Sequence, residues 1–535
     1  MDKIIKSKKN VIILSFISIL IVSQLIPFLS SKVESNIFMG IPFNVVDTNN
    51  YFSFMHQAKE GNLLFTNKFT SEKIPYIILQ PVFLVMGWFT FLLPPIFVYF
   101  LFKFVFFIIF ALLVYKLLEL IAKKDEMDIS AIFVLFGSGI GYIFLLLSNL
   151  GFKRYGSIDY WLSESNSIGL NIAPVHFIVS VCLMIVIVIF YYKFWQSKKI
   201  SDMLVASFLT LLLGFIHLFD VITLIAAFAV YMLWRLIKKR DSFSDILKYN
   251  LIYGAVIALP FIYTYYLFAV NPLFKEWDAQ NVLETPKFLH VLFGYFFPLV
   301  FAFVYFLYKA TSRKKFEDFE IILFGWMFSG LVLLYSPLNI QRRFIEGLNL
   351  PIMILGALGF LRVILPIFVK KMQPFIKIKN LKTIGIILAL VLITPTSFYW
   401  LYKTNANVSQ NIEIGDYSVP FYLDKDELEA LKWLKENSDG EEVVLSAYGI
   451  GNYIPRVSGN RVYLGHWAQT INFEKRKMNV IEFYSGDDTF RKGLLGANRI
   501  DYVYYGIEEK KIGSFKPDYM ENAFENKKVT IYKIK

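Results

Sequence analysis

Apolar runs of membrane-spanning length, separated by short basic clusters, constrain this chain more than any other feature. VIILSFISILIVSQLIPFL (residues 11–29) is the first, and PIFVYFLFKFVFFIIFALLVYKLLELI (95–121) is another. About 20 apolar residues in helical form cross roughly 30 Å of hydrocarbon. The chain is 56% hydrophobic and 18% charged, with a mean hydropathy of +0.52. A soluble domain is nearer about 45–50% apolar and about 25% charged. The sequence therefore reads as a polytopic α-helical membrane protein; a β-barrel would alternate over short strands.

Eleven spans are expected, at 11–30, 95–121, 131–148, 174–194, 202–216, 218–237, 248–270, 290–308, 319–336, 350–369 and 381–402. The first follows KIIKSKK but is long for a signal-peptide core and has no small-x-small cleavage site, so it reads as a retained helix. This count puts the basic clusters at 3–9, 123–124, 198–199, 238–240, 313–315 and 370–382 on one side. The positive-inside bias makes that side, and the N-terminus, cytoplasmic. Residues 75–94 (IPYIILQPVFLVMGWFTFLLPP from 74) are broken by prolines and read as an interfacial or re-entrant segment. The net charge of +13 lies in short loops, as topology requires, which excludes nucleic acid as the partner and leaves membrane lipids. Cys182, the single cysteine, sits inside an apolar run and can form neither an internal disulfide nor a cysteine metal site.

Residues 403–535 change in character, with about as many acidic as basic residues. DKDELEALKWLKEN reads as a helix with Asp424 near its N-cap, EEVVLSA, IDYVYYG and KVTIYKI as strands, and DDTFRKGLLGAN as a helix between two of them. The expected organisation is a membrane domain over 1–402, whose first outer loop is 31–94, followed by a small extracytoplasmic α/β domain over 403–535. YGIGN has a Gly-x-Gly without a third glycine, so no dinucleotide site is read there.

The first outer loop contains NVVDTNNYFSFMHQAKEGN (44–62). Asp47 has the residue type of an N-cap, Tyr51, Met55 and Ala58 follow at helical spacing, and Gly61 fits the C′ position. These signals predict an amphipathic helix over 48–60 on the outer membrane surface. On local sequence alone, Asp47 need do no more than cap it.

A first span, an outer loop opening on an acidic residue, a helix ending in Gly, and a Pro-aromatic segment together resemble the GT-C superfamily of membrane glycosyltransferases. The protein O-mannosyltransferase and aminoarabinose-transferase branches are the nearest comparison. The resemblance implies a GT-C-like bundle over 1–402, a polyprenyl-phosphate sugar donor, and a glycan, lipid or protein acceptor whose hydroxyl attacks on the extracytoplasmic side. It also implies that Asp47 is the catalytic base. The second acidic residue of that pattern is absent, because position 48 is Thr.

Leaving phosphate needs fixed positive charge, and NIQRRFIEG supplies Arg342 and Arg343, with Gln341 beside them, at an outer end where arginine is disfavoured. Pairing of one arginine with Glu346 is the plainer reading. In the second outer loop, Asp159, Glu164 and His176 are ligand-type residues that would orient the acceptor or hold a divalent metal ion. Their spacing matches no metal motif, and a solvated loop with a capping Asp is the plainer reading. GFIHLFDVITL sets His217 and Asp220 on one helical face, where they would pair or line the donor pocket. His466, in YLGHWAQT, is a candidate for acceptor contact from the tail; His56 and His290 read as structural. Two other functions stay open: a non-catalytic membrane scaffold and a lipid or sugar transporter, each retaining a GT-C-like fold.

Overall fold

The computed structural model describes residues 2–30, 36–152, 156–312, 314–374, 380–411 and 417–534. Residues 153–155 of the second outer loop, and parts of the basic clusters at 313–315 and 370–382, lie outside the described residues.

Among the described residues, seven helices are long and apolar enough to cross a membrane, and up to nine if each of two bent pairs is one span. The bent pairs are Met127–Phe136 with Gly141–Asn149, at 49°, and Phe288–Gly294 with Phe296–Thr311, at 85°. The expected count of eleven also included 202–216 and 319–336. These form Ile200–Ile216, of 17 residues, and Asp318–Leu333, of 16 residues. Neither reaches the length of about 20 residues that the hydrocarbon core asks for. The 75–94 segment contains the 9-residue helix Pro81–Phe89, which is too short to span. The chain is a multi-pass helical membrane protein with a small C-terminal sheet region.

Contacts divide the chain into two compact units. The first comprises Met1–Ser23, Phe102–Tyr266 and Val282–Lys403. Its core is apolar, and its helices pair closely: Phe296–Thr311 on Asn349–Gly359, Val175–Ser197 on Ile200–Ile216, and Leu218–Ile237 on Asp318–Leu333. The tightest crossing depends on small residues. A Cβ on Gly359 would sit 2.0 Å from the Phe301 carbonyl oxygen, and one on Gly356 2.6 Å from that of Pro298. One half-buried cation of this unit is well paired: Arg362 donates to Glu126 Oε2 at 2.7 Å and to the Tyr305 hydroxyl at 2.7 Å.

The second unit comprises Gln24–Leu101, Leu267–Asn281 and Thr404–Lys535. The tail thus shares a unit with most of residues 31–94, which a simple cut at 402/403 would have separated from it. Asn36–Phe38 pairs antiparallel with Tyr422–Asp424. Arg456 donates to Asn49 Oδ1 at 2.8 Å and to the Met39 carbonyl at 2.6 Å, with its guanidinium over the Phe52 ring. A mixed five-stranded sheet runs in the order Arg461–Val462, Val443–Leu445, Tyr502–Tyr505, Thr530–Ile534, Met520–Glu525. Its first three strands are parallel to one another and its last two pairings are antiparallel. Helix Lys425–Asn437 opens on an Asp424 cap and Asp488–Asn498 is helical, as the sequence predicts, while the helix Phe473–Ser485 between them is an addition.

Candidate functional site

Asp47 is not a helix cap. The helix runs Val45–Lys59, and its N-cap is Asn44, held in the left-handed region at φ 53°. Asn tolerates that conformation better than most side chains. Starting the helix two residues before Asp47 releases the carboxylate from backbone capping. Asn44 Nδ2 donates to Asp47 Oδ2 at 2.7 Å, and His466 Nε2 lies 2.7 Å from Oδ1. The other nitrogen of His466, Nδ1, accepts the Ala468 N–H at 3.0 Å. The proton of a neutral His466 is therefore on Nε2, and that nitrogen donates to Asp47. The His466 side chain is 2% exposed and the Asp47 side chain 30%, so a buried imidazole holds a carboxylate that solvent or a ligand can still reach.

The helix around Asp47 departs from the expected surface element. Most of its residues are buried, on every face, so it is an internal element of its unit rather than an amphipathic helix. Gly61 does follow its end with φ 95°, a left-handed value that favours glycine. His56 pairs with Glu60 at 3.8 Å, and burial with nearby lysines lowers it to about 4, so it stays neutral.

In the first unit, the three residues expected to act together in the second outer loop separate. Asp159 is fully buried. Its carboxylate accepts Gly139 N–H at 3.0 Å, Gly141 N–H at 3.2 Å and the Ser157 hydroxyl at 2.5 Å. Burial raises it to about 6 against the pull of these donors. The carboxylate ties the loop to the bend at 137–141. Glu164 instead meets Arg343, whose Nη1 donates to Oε1 at 3.3 Å, while the Ser163 hydroxyl donates to Oε2 at 2.8 Å. The Arg343 guanidinium also lies over the Phe177 ring, 5.5 Å from its centre. Gln341, Arg342 and Arg343 are half-buried on a short 3-10 turn, Gln341–Ile345.

His176 opens the helix Val175–Ser197, and its Nδ1 lies 2.7 Å from His217 Nε2. His217 sits at the corner between Ile200–Ile216 and Leu218–Ile237. Its Nδ1 is 3.3 Å from Asp220 Oδ2, as the i, i+3 spacing predicts, and 2.9 Å from Glu346 Oε2. Glu346 is the member that sequence reasoning missed. It was weighed as a partner of the neighbouring arginines, yet directly after the 3-10 turn its carboxylate reaches the His217 corner instead. His217, Asp220 and Glu346 place donor atoms within 4.8 Å of one another, a group that could hold a metal ion.

No protein-family model matches the sequence, and neither does any of the curated proteins compared with it. Solved structures do match in fold. The oligosaccharyltransferase of Archaeoglobus fulgidus, in complex with Zn and sulfate, is 14% identical over 92% of this chain and 67% of its own, with a TM-score of 0.50. The chain shares the fold of that archaeal oligosaccharyltransferase. Two further solved structures align at TM-score 0.49. One is the oligosaccharyltransferase AglB of Archaeoglobus fulgidus in complex with an inhibitory peptide and a dolichol-phosphate, 13% identical over 93% of this chain and 70% of that one. The other is ArnT of Cupriavidus metallidurans bound to undecaprenyl phosphate, 11% identical over 96% and 97%. At such identities the likeness is one of fold alone.

Proposed function

We propose that this chain is a membrane glycosyltransferase that moves a sugar from a polyprenyl-phosphate-linked donor to an acceptor hydroxyl on the extracytoplasmic side. The observation that carries the reading is the Asp47 carboxylate, held by Asn44 and His466 and still partly exposed, within a GT-C fold. The acceptor oxygen attacks the anomeric carbon as the bond to the lipid phosphate breaks. The electron pair leaves with the phosphate, and the hydroxyl proton passes to Asp47. Such a base contributes about 10²–10⁴-fold. The donors from Asn44 and His466 hold the carboxylate in a fixed orientation.

Arg342 and Arg343 hold the donor phosphate in this reading. Glu164 keeps the Arg343 head in place, and an arginine fork suits phosphate oxygens. The N-terminus is cytoplasmic and residues 403–535 extracytoplasmic; that tail supplies His466 to the same unit as Asp47. A second reading, a non-catalytic scaffold, is favoured by one observation. Position 48 is Thr, whose hydroxyl is spent on the Asn44 carbonyl at 2.8 Å, so Asp47 has no acidic neighbour in sequence there. Reconstituting the full chain in proteoliposomes with a panel of polyprenyl-phosphate sugars separates the two. Sugar leaves the donor in the first case, and no donor is consumed in the second.

A further inference from the structure

We propose that His217, Asp220 and Glu346 bind a divalent transition-metal ion, with His176 orienting His217 from behind. The ion would tie the corner at 216–218 to the turn that carries Arg342 and Arg343.

Burial makes the case first. His217, Asp220 and Glu346 are 4%, 0% and 1% exposed. Two carboxylates removed from water cost several kcal/mol each unless they are compensated. Arg343 is already engaged by a third carboxylate, that of Glu164. The Arg343 guanidinium by itself does not offset three carboxylates, and a dication would balance the remainder.

Hydrogen bonding makes the case a second time. Among the described residues, both oxygens of Glu346 and Oδ1 of Asp220 have no hydrogen-bond partner. Glu346 Oε2 is only 2.9 Å from His217 Nδ1, yet it is not aligned with a ring N–H. A neutral imidazole has one proton. If it sits on Nε2 and is donated to His176 Nδ1, then Nδ1 turns a lone pair toward two carboxylates. If it sits on Nδ1, one carboxylate is served and the other is not. A cation in front of Nδ1 satisfies all three groups at once.

Distances make the case a third time. Ligand atoms about 2.0–2.2 Å from a tetrahedral ion lie about 3.3–3.6 Å apart. The Nδ1 to Asp220 and Nδ1 to Glu346 separations are 3.3 and 2.9 Å, so small side-chain shifts open the site without moving backbone. One imidazole and two carboxylates form a mixed set that suits Zn²⁺ or Mn²⁺. With Nδ1 on the metal, His217 must keep its proton on Nε2 and donate it to His176 Nδ1, 2.7 Å away. Metal-bound histidines are ordinarily fixed through such a second hydrogen bond.

The test uses the full chain in nanodiscs, stripped with a chelator, reloaded with Zn²⁺ or with Mn²⁺, and desalted. Metal content is read by mass spectrometry, so the result is independent of whether sugar transfer is found. About one ion per chain is expected in the wild type for at least one of the two metals. Glu346→Gln and Asp220→Asn should retain less than a tenth of that. His176→Ala should keep the site but weaken its affinity about 10- to 100-fold. A wild-type chain that retains neither metal would overturn the assignment without reference to any variant. So would a folded Glu346→Gln chain that binds as tightly as the wild type.

Discussion

Removing the imidazole of His466 tests whether the tail serves the base. His466 Nε2 donates to Asp47 Oδ1 at 2.7 Å, and Asn44 is the other donor, on Oδ2. A hydrogen bond to a charged group contributes about 1.5–3 kcal/mol. At about 1.36 kcal/mol per tenfold in rate, His466→Ala should lower kcat about 10- to 150-fold if that bond orients the base in the transition state. Asp47→Asn removes the proton acceptor itself and should cost about 10²–10⁴-fold. The two residues act through one carboxylate, so the double variant should be no slower than Asp47→Asn alone. His466→Gln should recover part of the loss, because its amide N–H can replace the imidazole donor. The assay is turnover of polyprenyl-phosphate-linked sugar in proteoliposomes, with thermal unfolding followed in parallel because His466 is buried. Losses that multiply in the double variant would refute the reasoning, as would a His466→Ala kcat equal to that of the wild type.

Further expectations follow from individual contacts. Arg343→Ala should raise the KM for donor about tenfold or more while leaving acceptor KM unchanged, and Arg343→Lys should restore charge without the fork and recover only part. Asp159→Asn turns an amide toward the Gly139 and Gly141 N–H groups; it should cost about 1–3 kcal/mol of stability, read as a fall in Tm. Burial acts to raise Glu441, but Lys68 and Arg461 outweigh it and hold the carboxyl down to about 2 from an ordinary 4.5. The stabilisation from this pairing is thus present above 4.5 and is lost as pH falls toward 2, so the Tm gap between wild type and Glu441→Gln should close over that interval.

Much of the fold could be read from periodicity and punctuation, because both report local physics. The helix Lys425–Asn437 and its Asp424 cap, the strands Val443–Leu445, Tyr502–Tyr505 and Thr530–Ile534, and the helix Leu218–Ile237 all sit where the patterns predict. The short strands Arg461–Val462 and Met520–Glu525 escaped, since two residues carry no period and MENAFE reads as polar. The start of the helix at Val45 differs from the expectation for a physical reason: Asn and Asp are about equally good caps, and here a left-handed Asn44 begins the helix earlier.

The site was legible only in part. Asp47 is marked by the family resemblance, whereas His217 and Asp220 stand out as polar groups in apolar surroundings, and their i, i+3 pairing needs no tertiary information. The partners did not stand out. Asp47 and His466 meet across 419 residues, and Glu346 meets His217 across a loop whose 3-10 geometry no spacing rule encodes. The loop-fastening bonds of Asp159 were not legible, because a carboxylate that binds a substrate and one that fastens a loop look alike until their hydrogen-bond partners are known.

Comparing wild type with Asp47→Asn for release of sugar from a polyprenyl-phosphate donor tests the account most directly. Both proteins are to be folded, reconstituted and supplied with an acceptor mixture. The account predicts donor turnover by the wild type and a drop of about a hundredfold or more in the variant. Equal turnover by the two proteins would contradict it.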